Sequence, residues 1–483
     1  MEHKMNWEQL LSDTTQVQRE PEPKEFAKYP MSGLERDYKA IISSAAFRRL
    51  QDKTQVFPLD KSDFVRTRLT HSLEVSTIAR QLGIMITQNT TPFLQDEFKA
   101  GQQKNELIEK IPVVLSCAGL LHDLGNPPFG HFGEVVIGDW FRKAFQMDRF
   151  TYKDMPIGSF LSEQMRRDLE NFEGNAQALR ILSKIKNKEE SHEINLTYGV
   201  MGALIKYPTS SVEFTNKGDQ DIRKHKLGYY CAEKDCFDRI SQETGMLLEV
   251  GNVARHPLTF LMEAADDIAY ATADLEDALK KKLFTISEFE DYFISQMGSD
   301  DKAKRLIEKL DERMKNATDD ERKMIAFQNW MDDARGWFMY CVAYNFSKNY
   351  DSIMNGTFQQ ELIEGTFHEK SMDIFKSAMA KFVYEDAEIV KLELSANKIL
   401  SSLLDDFIPA VIYMDAEDEK YRLSKAQKKL CSLIPDNFKV DYKNNRTSDE
   451  ANNLYLRFLM VTDFISGMTD SYAKNLYQEL NAC

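Results

Sequence analysis

The chain has 483 residues, and 42% of them are hydrophobic, which is enough for one large domain or two to three ordinary ones. It carries 62 lysines and arginines against 77 aspartates and glutamates, a formal net charge of −15. Overall charge therefore does not attract nucleic acid, and an anionic ligand needs a local basic pocket.

Neither a membrane anchor nor a disulfide framework is indicated. No run approaches the roughly 18 apolar residues of a membrane span, and the first residues lack the apolar core of a signal peptide. Cys231 and Cys236 have no second pair nearby with which to complete a zinc site, so free thiols are expected for the six cysteines. We therefore expect a cytoplasmic protein without a membrane partner.

Helical periodicity runs through most of the chain, while glycine (21) and proline (13) are scarce. This predicts an all-α protein with few short strands. Helices are predicted over residues 41–50, 71–82, 92–109, 112–124, 131–146, 173–186, 196–205, 257–282, 286–298, 300–315, 319–348, 370–384, 386–405 and 449–480. Residues 212–215 are a candidate extended segment, and residues 183–195 and 216–228 are polar enough to be loops.

The pair His122–Asp123 ends an apolar helix just before a sharp Gly-Asn-Pro-Pro turn. A carboxylate at the end of a buried run is costly unless it is paired or bound to a cation. One interpretation is a hydrogen-bonded core pair, but His131 and Glu134 follow the turn directly, and such crowding is typical of a site. With His71 upstream, imidazole nitrogens and carboxylate oxygens suit a divalent metal, which in turn suits phosphoryl chemistry.

An acidic helix contains Asp266, Tyr270 and Asp274 at spacings that place them on one face. The alanines around them leave room for a ligand. Periodicity does not choose between Asp266 and Asp267 as a metal ligand. Farther along, Glu276 and the next residue, Asp277, are expected on an ordinary solvated face.

Arg68 lies three residues before His71, so on a helical turn both side chains face the same way. A guanidinium beside a metal ligand suits a bridging phosphate oxygen, although a surface arginine near a helix start is the simpler interpretation. His131 and Glu134 are also three residues apart, so a short helix presents them together.

The order of His71, His122–Asp123 and a distal aspartate resembles the HD-domain superfamily of phosphohydrolases. The longer segments resemble one branch of it, the deoxyguanosine triphosphate triphosphohydrolases (dGTPases). These segments are residues 47–57, 66–75, 122–134, 263–270 and 463–470. The resemblance reaches from near residue 30 to near residue 475.

The resemblance implies a metal ion held by His71, His122, Asp123 and Asp266, with Asp266 selected because the family's ligand lies four residues before a tyrosine. It implies that His131 and Glu134 are catalytic. The implied substrate contacts are Gln55 and Val56 to sugar and base, Arg68 and Lys206 to phosphates, Tyr207, Tyr270 and Asp274 to the sugar, and Arg446, with Arg457 close by, to phosphates.

The implied reaction is metal-dependent hydrolysis of dGTP, or another dNTP, to deoxynucleoside and inorganic triphosphate by attack at the α-phosphorus. Mg²⁺ or Mn²⁺ is the expected ion, and Fe, Ni, Co and Zn are alternatives. Other HD-type phosphohydrolases act on nucleoside monophosphates, cyclic nucleotides or alarmones. A nucleotide- or single-stranded-DNA-binding regulator with an idle site is the alternative outside enzymes. Because relatives bind single-stranded DNA and assemble, often as hexamers, a homo-oligomer is expected.

The expected organisation follows the same resemblance. Residues 1–30 form an N-terminal segment that packs on the core. Residues 31–290 form the HD-domain helical core, and residues 291–445 form a helical family-specific region. Residues 446–483 form a C-terminal helix that completes the core.

Overall fold

Helices make up most of the described part of the chain, which confirms the all-α class. The computed structural model describes residues 4–19, 31–59, 62–88, 102–184, 194–215, 220–249, 251–384 and 387–482. The helices of these residues are α1 (Trp7–Leu10), α2 (Gly33–Ser43), α3 (Ala45–Arg49), α4 (Arg68–Thr87), α5 (Gln102–Leu121), α6 (Gly130–Phe145), α7 (Ile157–Phe160), α8 (Glu163–Glu170), α9 (Gly174–Ser183), α10 (Tyr198–Leu204), α11 (Lys234–Glu243), α12 (Pro257–Lys280), α13 (Ile286–Met297), α14 (Asp301–Lys315), α15 (Asp320–Lys348), α16 (Tyr350–Met354), α17 (Glu369–Met379), α18 (Ala387–Val411), α19 (Lys425–Leu433), α20 (Asp436–Asn445), α21 (Glu450–Ser466) and α22 (Asp470–Asn481).

Short elements complete the described chain. Two antiparallel hairpins pair β1 (Thr151–Tyr152) with β2 (Met155–Pro156) and β3 (Leu247–Glu249) with β4 (Asn252–Val253). The single helical turns are the 3-10 segments Leu50–Asp52, Ile222–Lys224, Cys231–Glu233 and Glu419–Tyr421, and the π segment Ala380–Tyr384. The predicted extended segment at residues 212–215 was wrong: Glu213 accepts hydrogen bonds from the backbone and hydroxyl of Ser210, which closes a turn there.

Helices α4, α5 and α12 pack against one another in the centre of the protein. Gly119 allows α5 to approach α4, because a Cβ there would lie 2.7 Å from the Cα of Ser76. Ser76 Oγ donates to the carbonyl of Ser116 at 2.9 Å across the same contact. The Thr67 hydroxyl caps the first turn of α4. This packing brings the first turn of α4 beside the end of α5.

Pro112 lies inside α5, although the sequence predicts two helices that are separated at that point. Proline inside a helix costs about 3 kcal/mol in isolation. Tertiary packing overrides that cost here: Gly83 of α4 faces Pro112, and a Cβ at Gly83 would lie 3.0 Å from the Pro112 Cα. Part of the predicted helix at residues 92–109 lies outside the described residues.

The predicted C-terminal helix over residues 449–480 is in fact two helices, α21 and α22. The Thr469 side chain caps the backbone amide of Tyr472 and starts α22. The break places Asp470 at the first position of α22, where it reaches back toward the N-terminal half of the chain.

Two hydrophobic clusters form the interior. The larger one includes α4, α5 and α12 and also buries Met5, Trp7 and Leu10 of the N-terminal segment. The second is built on α6, α18 and α21. Buried Arg180 of α9 joins the two regions, because its Nη2 donates to Asp463 Oδ2 at 2.7 Å and its Nη1 to Glu233 Oε1 at 2.6 Å.

Within the described ranges, no helix combines the length and the apolar character needed to cross a bilayer. The cysteines found in those ranges, Cys117, Cys231, Cys236, Cys341 and Cys431, are free thiols, as the sequence predicts.

Candidate active site

Four predicted metal ligands converge from three helical segments. His71 lies on the first turn of α4, His122 and Asp123 follow α5 directly, and Asp266 lies in the middle of α12. His71 Nε2 is 3.1 Å from Asp266 Oδ1. His122 Nε2 is 3.4 Å from Asp266 Oδ1 and 3.4 Å from Asp123 Oδ2. The structure thus brings together groups that are up to 195 residues apart in sequence.

The donor atoms of this cluster fit a divalent cation. His122 Nδ1 lies 2.7 Å from the Gly119 carbonyl and donates to it, which leaves Nε2 facing the two carboxylates. His122 Nε2 is buried, and among the described residues it has no hydrogen-bond partner of proper geometry. Ligand atoms of His71, His122 and Asp123 lie within 4.8 Å of one another. Two imidazoles and two carboxylates form a mixed nitrogen and oxygen set that suits a divalent transition metal such as Mn²⁺.

Arg68 stabilises the anionic form of Asp123. Its Nη1 donates to Asp123 Oδ2 at 2.5 Å. Burial raises the pKa of Asp123, but Arg68 and His122 hold it well below the usual range. Gly130 has a φ of 61°, and a Cβ there would lie 2.5 Å from Arg68 Nη2, so glycine allows this close approach. Arg68 is buried rather than a surface arginine.

His131 and Glu134 lie on the first turn of α6 and form a hydrogen-bonded pair. His131 Nδ1 is 2.9 Å from Glu134 Oε2. Glu134 is buried, and its other oxygen accepts a hydrogen bond of 2.8 Å from the backbone amide of Gly174. Glu134 raises the pKa of His131, whose side chain is 75% exposed. Glu134 therefore holds the His131 imidazole in position, and the Nε2 atom of that ring is available to a ligand.

The loop between Asp123 and α6 is held by groups from both ends of the chain. Buried Lys53 donates to the carbonyl of Asn126 at 2.5 Å and to that of Ser466 at 2.7 Å. Burial lowers the pKa of Lys53 to about 7. Asp470 accepts hydrogen bonds from the backbone amides of Phe129 and Thr54, at 2.9 and 3.0 Å. These contacts fix the loop that carries the catalytic candidates.

One cavity of about 610 Å³ lies in front of this cluster and is large enough for a nucleotide. The predicted residues that line it are Gln55, Val56, Arg68, His122, Asp123, His131, Lys206, Tyr207, Asp266 and Tyr270. Lys206 follows α10, and its Nζ is 3.4 Å from Asp266 Oδ2. Although burial opposes it, nearby Asp266 and Glu263 raise the pKa of Lys206, so this lysine is a cation.

Two predicted contacts lie away from the cavity wall. Asp274 is buried one turn beyond Tyr270, and its Oδ2 has no hydrogen-bond partner in the part of the chain that the structure describes. Burial raises the pKa of Asp274 well above the usual range, and Asp277 adds to the effect. Arg446 lines a separate cavity, which it shares with Arg457.

Known families and proteins are similar in sequence to this chain. The HD domain family model matches residues 68–195, and the Phosphohydrolase-associated domain model matches residues 366–479. A deoxyguanosinetriphosphate triphosphohydrolase-like protein of Listeria monocytogenes is 43% identical over 479 residues, 99% of each chain. The deoxyguanosinetriphosphate triphosphohydrolase of Yersinia enterocolitica is 32% identical over 498 residues, 93% of this chain and 94% of its own.

This chain belongs to the deoxyguanosinetriphosphate triphosphohydrolase family. The resemblance seen in the segments around His71, His122 and Asp266 is thereby confirmed. Both matched regions contribute to the cavity, since Arg68 and His131 come from the HD domain and Lys376 comes from the associated domain.

Several charged residues of the cavity were not predicted as site residues. Lys226 lines it, and its Nζ is 2.9 Å from Glu173 Oε2. Its only signal in the sequence was the basic composition of the polar segment at residues 216–228. Lys376 of α17 also lines it and donates to Asp267 at 2.9 Å. Nothing in the amphipathic pattern of α17 distinguishes Lys376 from an exposed lysine.

The expectation of a solvated face at Glu276 and Asp277 was wrong. Both are buried, and Arg66 lies between them. Arg66 Nη2 is 3.1 Å from Glu276 Oε2, and the Arg66 backbone amide donates to Asp277 at 2.8 Å. The pairing fixes the segment just before α4, so these acids help to position the helix that carries His71.

Proposed function

We propose that this protein hydrolyses dGTP, or another dNTP, to deoxynucleoside and inorganic triphosphate. One observation carries the proposal: the His71, His122, Asp123 and Asp266 cluster adjoins the cavity that His131 lines. Cationic groups around that cavity suit a polyphosphate. The names of the Listeria and Yersinia relatives support the reaction type.

We propose that His71, His122, Asp123 and Asp266 hold one Mg²⁺ or Mn²⁺ ion. When bound, such an ion polarises a phosphoryl group and offsets negative charge that develops during displacement. The pKa values of Asp123 and Asp266 are held well below the usual range, so both carboxylates are anionic, and His122 Nε2 faces them.

His131 handles the proton in this proposal. Glu134 accepts a hydrogen bond from Nδ1 and raises the pKa of His131, which favours the imidazolium form with a proton on Nε2. A water molecule attacks the α-phosphorus and forms the new P–O bond, while the bond from that phosphorus to the 5′-oxygen breaks. His131 Nε2 protonates the leaving 5′-oxygen, and the proton lost by the water returns His131 to its imidazolium form. The triphosphate then leaves intact, with Arg68, Lys206 and Lys226 around it.

Sugar selection is assigned to Tyr270 and Asp274. The Tyr270 ring lines the cavity, and a ring packed under C2′ excludes a 2′-hydroxyl. Asp274 lies one turn farther along α12, behind the cavity wall, and its Oδ2 has no partner among the described residues, so a sugar hydroxyl that reaches past the Tyr270 ring would satisfy it. Gln55 and Val56 line the cavity and are assigned to sugar and base.

The deciding experiment incubates the purified full-length chain with each dNTP and Mg²⁺ or Mn²⁺ and identifies the products by mass. Deoxynucleoside together with tripolyphosphate is the expected pair. Release of pyrophosphate or single phosphates would assign the site to another HD-type reaction. If no dNTP is cleaved by the metal-loaded protein, the proposal fails.

Single-stranded DNA is a second candidate ligand, and one exposed surface of α15 has side chains that suit it. Trp337 and Tyr340 of α15 are 42% and 41% exposed, and Lys309 Nζ lies 5.1 Å from the Trp337 ring centroid. Exposed aromatic rings beside lysines suit unpaired bases and phosphates. Binding of an oligothymidylate should weaken steeply with salt and should be lost in Trp337→Ala. Equal affinity of that variant would remove this candidate.

Assembly as a homo-oligomer, with a hexamer as the expected form, rests on the family resemblance. Light scattering of the full-length protein measures its mass directly. A mass equal to one chain would contradict the proposal.

A further inference from the structure

Asn126 lies in the turn between α5 and α6, and its side-chain amide contacts Asp123. The residue is buried, with only 5% of its surface exposed. Its Nδ2 donates a hydrogen bond to Asp123 Oδ1. The reverse orientation of the amide would place two oxygen acceptors against each other, so the contact fixes the nitrogen of Asn126 on the carboxylate.

The two carboxylate oxygens of Asp123 have different neighbours. Oδ1 accepts the hydrogen bond from Asn126. Oδ2 lies 3.4 Å from His122 Nε2 and accepts a hydrogen bond of 2.5 Å from Arg68 Nη1. Each carboxylate oxygen has two lone pairs, so Oδ2 keeps one in addition to the one that Arg68 uses. Oδ2 is therefore the oxygen that Asp123 offers to the histidine side of the cluster.

Asp266 shows the same division between its two oxygens. Its Oδ1 lies 3.1 Å from His71 Nε2 and 3.4 Å from His122 Nε2. Its Oδ2 instead faces Lys206 Nζ, at 3.4 Å. Each carboxylate of the cluster thus has one oxygen beside the histidines and one oxygen engaged by another side chain.

Contacts on its side chain and on its backbone hold Asn126 in place. A Cβ at Gly174 would lie 2.3 Å from Asn126 Oδ1, so the first residue of α9 packs directly against the amide. Lys53 Nζ donates to the Asn126 carbonyl at 2.5 Å and to the Ser466 carbonyl at 2.7 Å. The Asn126 backbone amide donates to the Asp123 carbonyl at 3.2 Å. These contacts keep the donor of Asn126 on Asp123 Oδ1.

We propose that Asn126 is a positioning residue that makes Asp123 a metal ligand through Oδ2 alone. A hydrogen bond to one oxygen of a ligating carboxylate orients it and favours coordination through the other oxygen. Ca²⁺ readily takes both oxygens of a carboxylate, whereas the smaller Mg²⁺ and Mn²⁺ suit an octahedral set of single donor atoms. Asn126 therefore favours the smaller ions over Ca²⁺. This inference rests on the proposed function, because it requires the metal site.

The test is calorimetric titration of the full-length, metal-free protein with Mn²⁺, followed by competition with Ca²⁺. In Asn126→Ala the affinity for Mn²⁺ should fall by about tenfold or more, as for other groups that orient a metal ligand. The affinity for Ca²⁺ should fall less, because Asp123 is then free to bind through both oxygens, so the ratio of the two affinities should fall by about threefold or more. A merely structural role would weaken the binding of both ions equally, and that result would overturn the proposal.

Asn171→Ala is the matched control, since Asn171 donates to the Arg167 carbonyl at the end of α8. It should keep both affinities. A crystal structure of the wild type with Mn²⁺ decides the question even if Asn126→Ala does not fold, because Asp123 should then bind the ion through Oδ2 only. Coordination through both oxygens, or unchanged affinities in folded Asn126→Ala, would overturn this inference alone. A wild type that binds no Mn²⁺ would overturn the metal site and this inference with it.

Discussion

Asp266 and Asp267 are adjacent on α12, yet they serve different partners. Asp266 Oδ1 lies 3.1 Å from His71 Nε2, whereas Asp267 Oδ2 accepts a hydrogen bond of 2.9 Å from Lys376 Nζ. Successive helical positions are rotated by about 100°, so only one of the two can face the histidines. Asp266 is therefore the one of the two that lies beside the histidines, which supports the proposal that Asp266 is the metal ligand.

Replacing Asp266 should remove the metal site, while replacing Asp267 should not. In Asp266→Asn we expect metal affinity and activity to fall by about 100-fold or more, since even outer-shell groups cost 10- to 100-fold. Asp267→Asn is the matched control and should keep its metal content. Metal analysis of dialysed protein and turnover of dGTP measure both effects. Equal loss of metal in the two variants would contradict the assignment.

Glu134→Gln should change the pH profile of catalysis. Glu134 raises the pKa of His131, so the protonated imidazole persists to higher pH in the wild type. Without the carboxylate, the fall of kcat on the alkaline side should move to lower pH, and kcat should drop by about 100-fold or more. Glu163→Gln, at an exposed position of α8, is the control. An unshifted profile would show that His131 does not act as the acid.

Tyr270→Ala should relax sugar selection. The ring lines the cavity beside Asp266, and its removal opens room for a 2′-hydroxyl. The ratio of kcat/KM for dGTP over GTP should fall by about tenfold or more. Tyr472→Ala removes an exposed ring on α22 and should leave the ratio unchanged. A ratio that survives in Tyr270→Ala would assign sugar selection to another residue.

Buried His256 should make stability depend on pH. Its Nε2 donates to the Leu10 carbonyl at 3.0 Å, and its Nδ1 accepts from the backbone amide of Leu258, which caps α12. Burial lowers the pKa of His256 to about 4, so the unfolded chain binds the proton more readily.

The free energy of unfolding should therefore fall as the pH drops from about 6.5 to about 4, by up to about 3 kcal/mol from this group. Above pH 6.5 the contribution of His256 is constant. Denaturant unfolding of wild type and His256→Asn at several pH values measures the difference. Identical slopes for the two proteins would refute it.

Gly125→Ala should damage both fold and site. An added Cβ would lie 2.0 Å from the Gly174 carbonyl, and Gly174 also supports Glu134. We expect the free energy of unfolding to fall by about 1–3 kcal/mol, and we expect turnover of dGTP to fall as well. Gly336→Ala on α15 is the control, because nothing lies within 4 Å of its added Cβ, and it should be neutral or slightly stabilising. Thermal unfolding and dGTP turnover of both variants check this.

The local parts of the site could be predicted from sequence. Periodicity places His71 and Asp266 on helices, and the turn after Asp123 is marked by glycine and proline. The family resemblance then indicates that these residues form one metal site. The all-α class also follows from periodicity, because predicting that class does not require knowing which helices contact one another.

Long-range pairing could not be predicted in this way. Glu276 was expected to be solvated, because nothing in the neighbouring sequence shows that it pairs with Arg66, 210 residues earlier. Lys376 shows no special pattern within α17, since its role depends on Asp267 across the fold. The continuity of α5 through Pro112 depends on a glycine of α4. In each case the deciding contact lies on another element.

The supports of the loop after Asp123 have a consequence for biosynthesis. Lys53 meets the carbonyl of Ser466, 413 residues later, and Thr54 meets Asp470, 416 residues later. When His122 and His131 have already been synthesised, the nascent chain still lacks Ser466 and Asp470, which hold the segment between those two histidines in place. We therefore expect this loop to become fixed only after the last helices have been translated, and we expect chains that end before Ser466 to be inactive even when they contain the whole HD region.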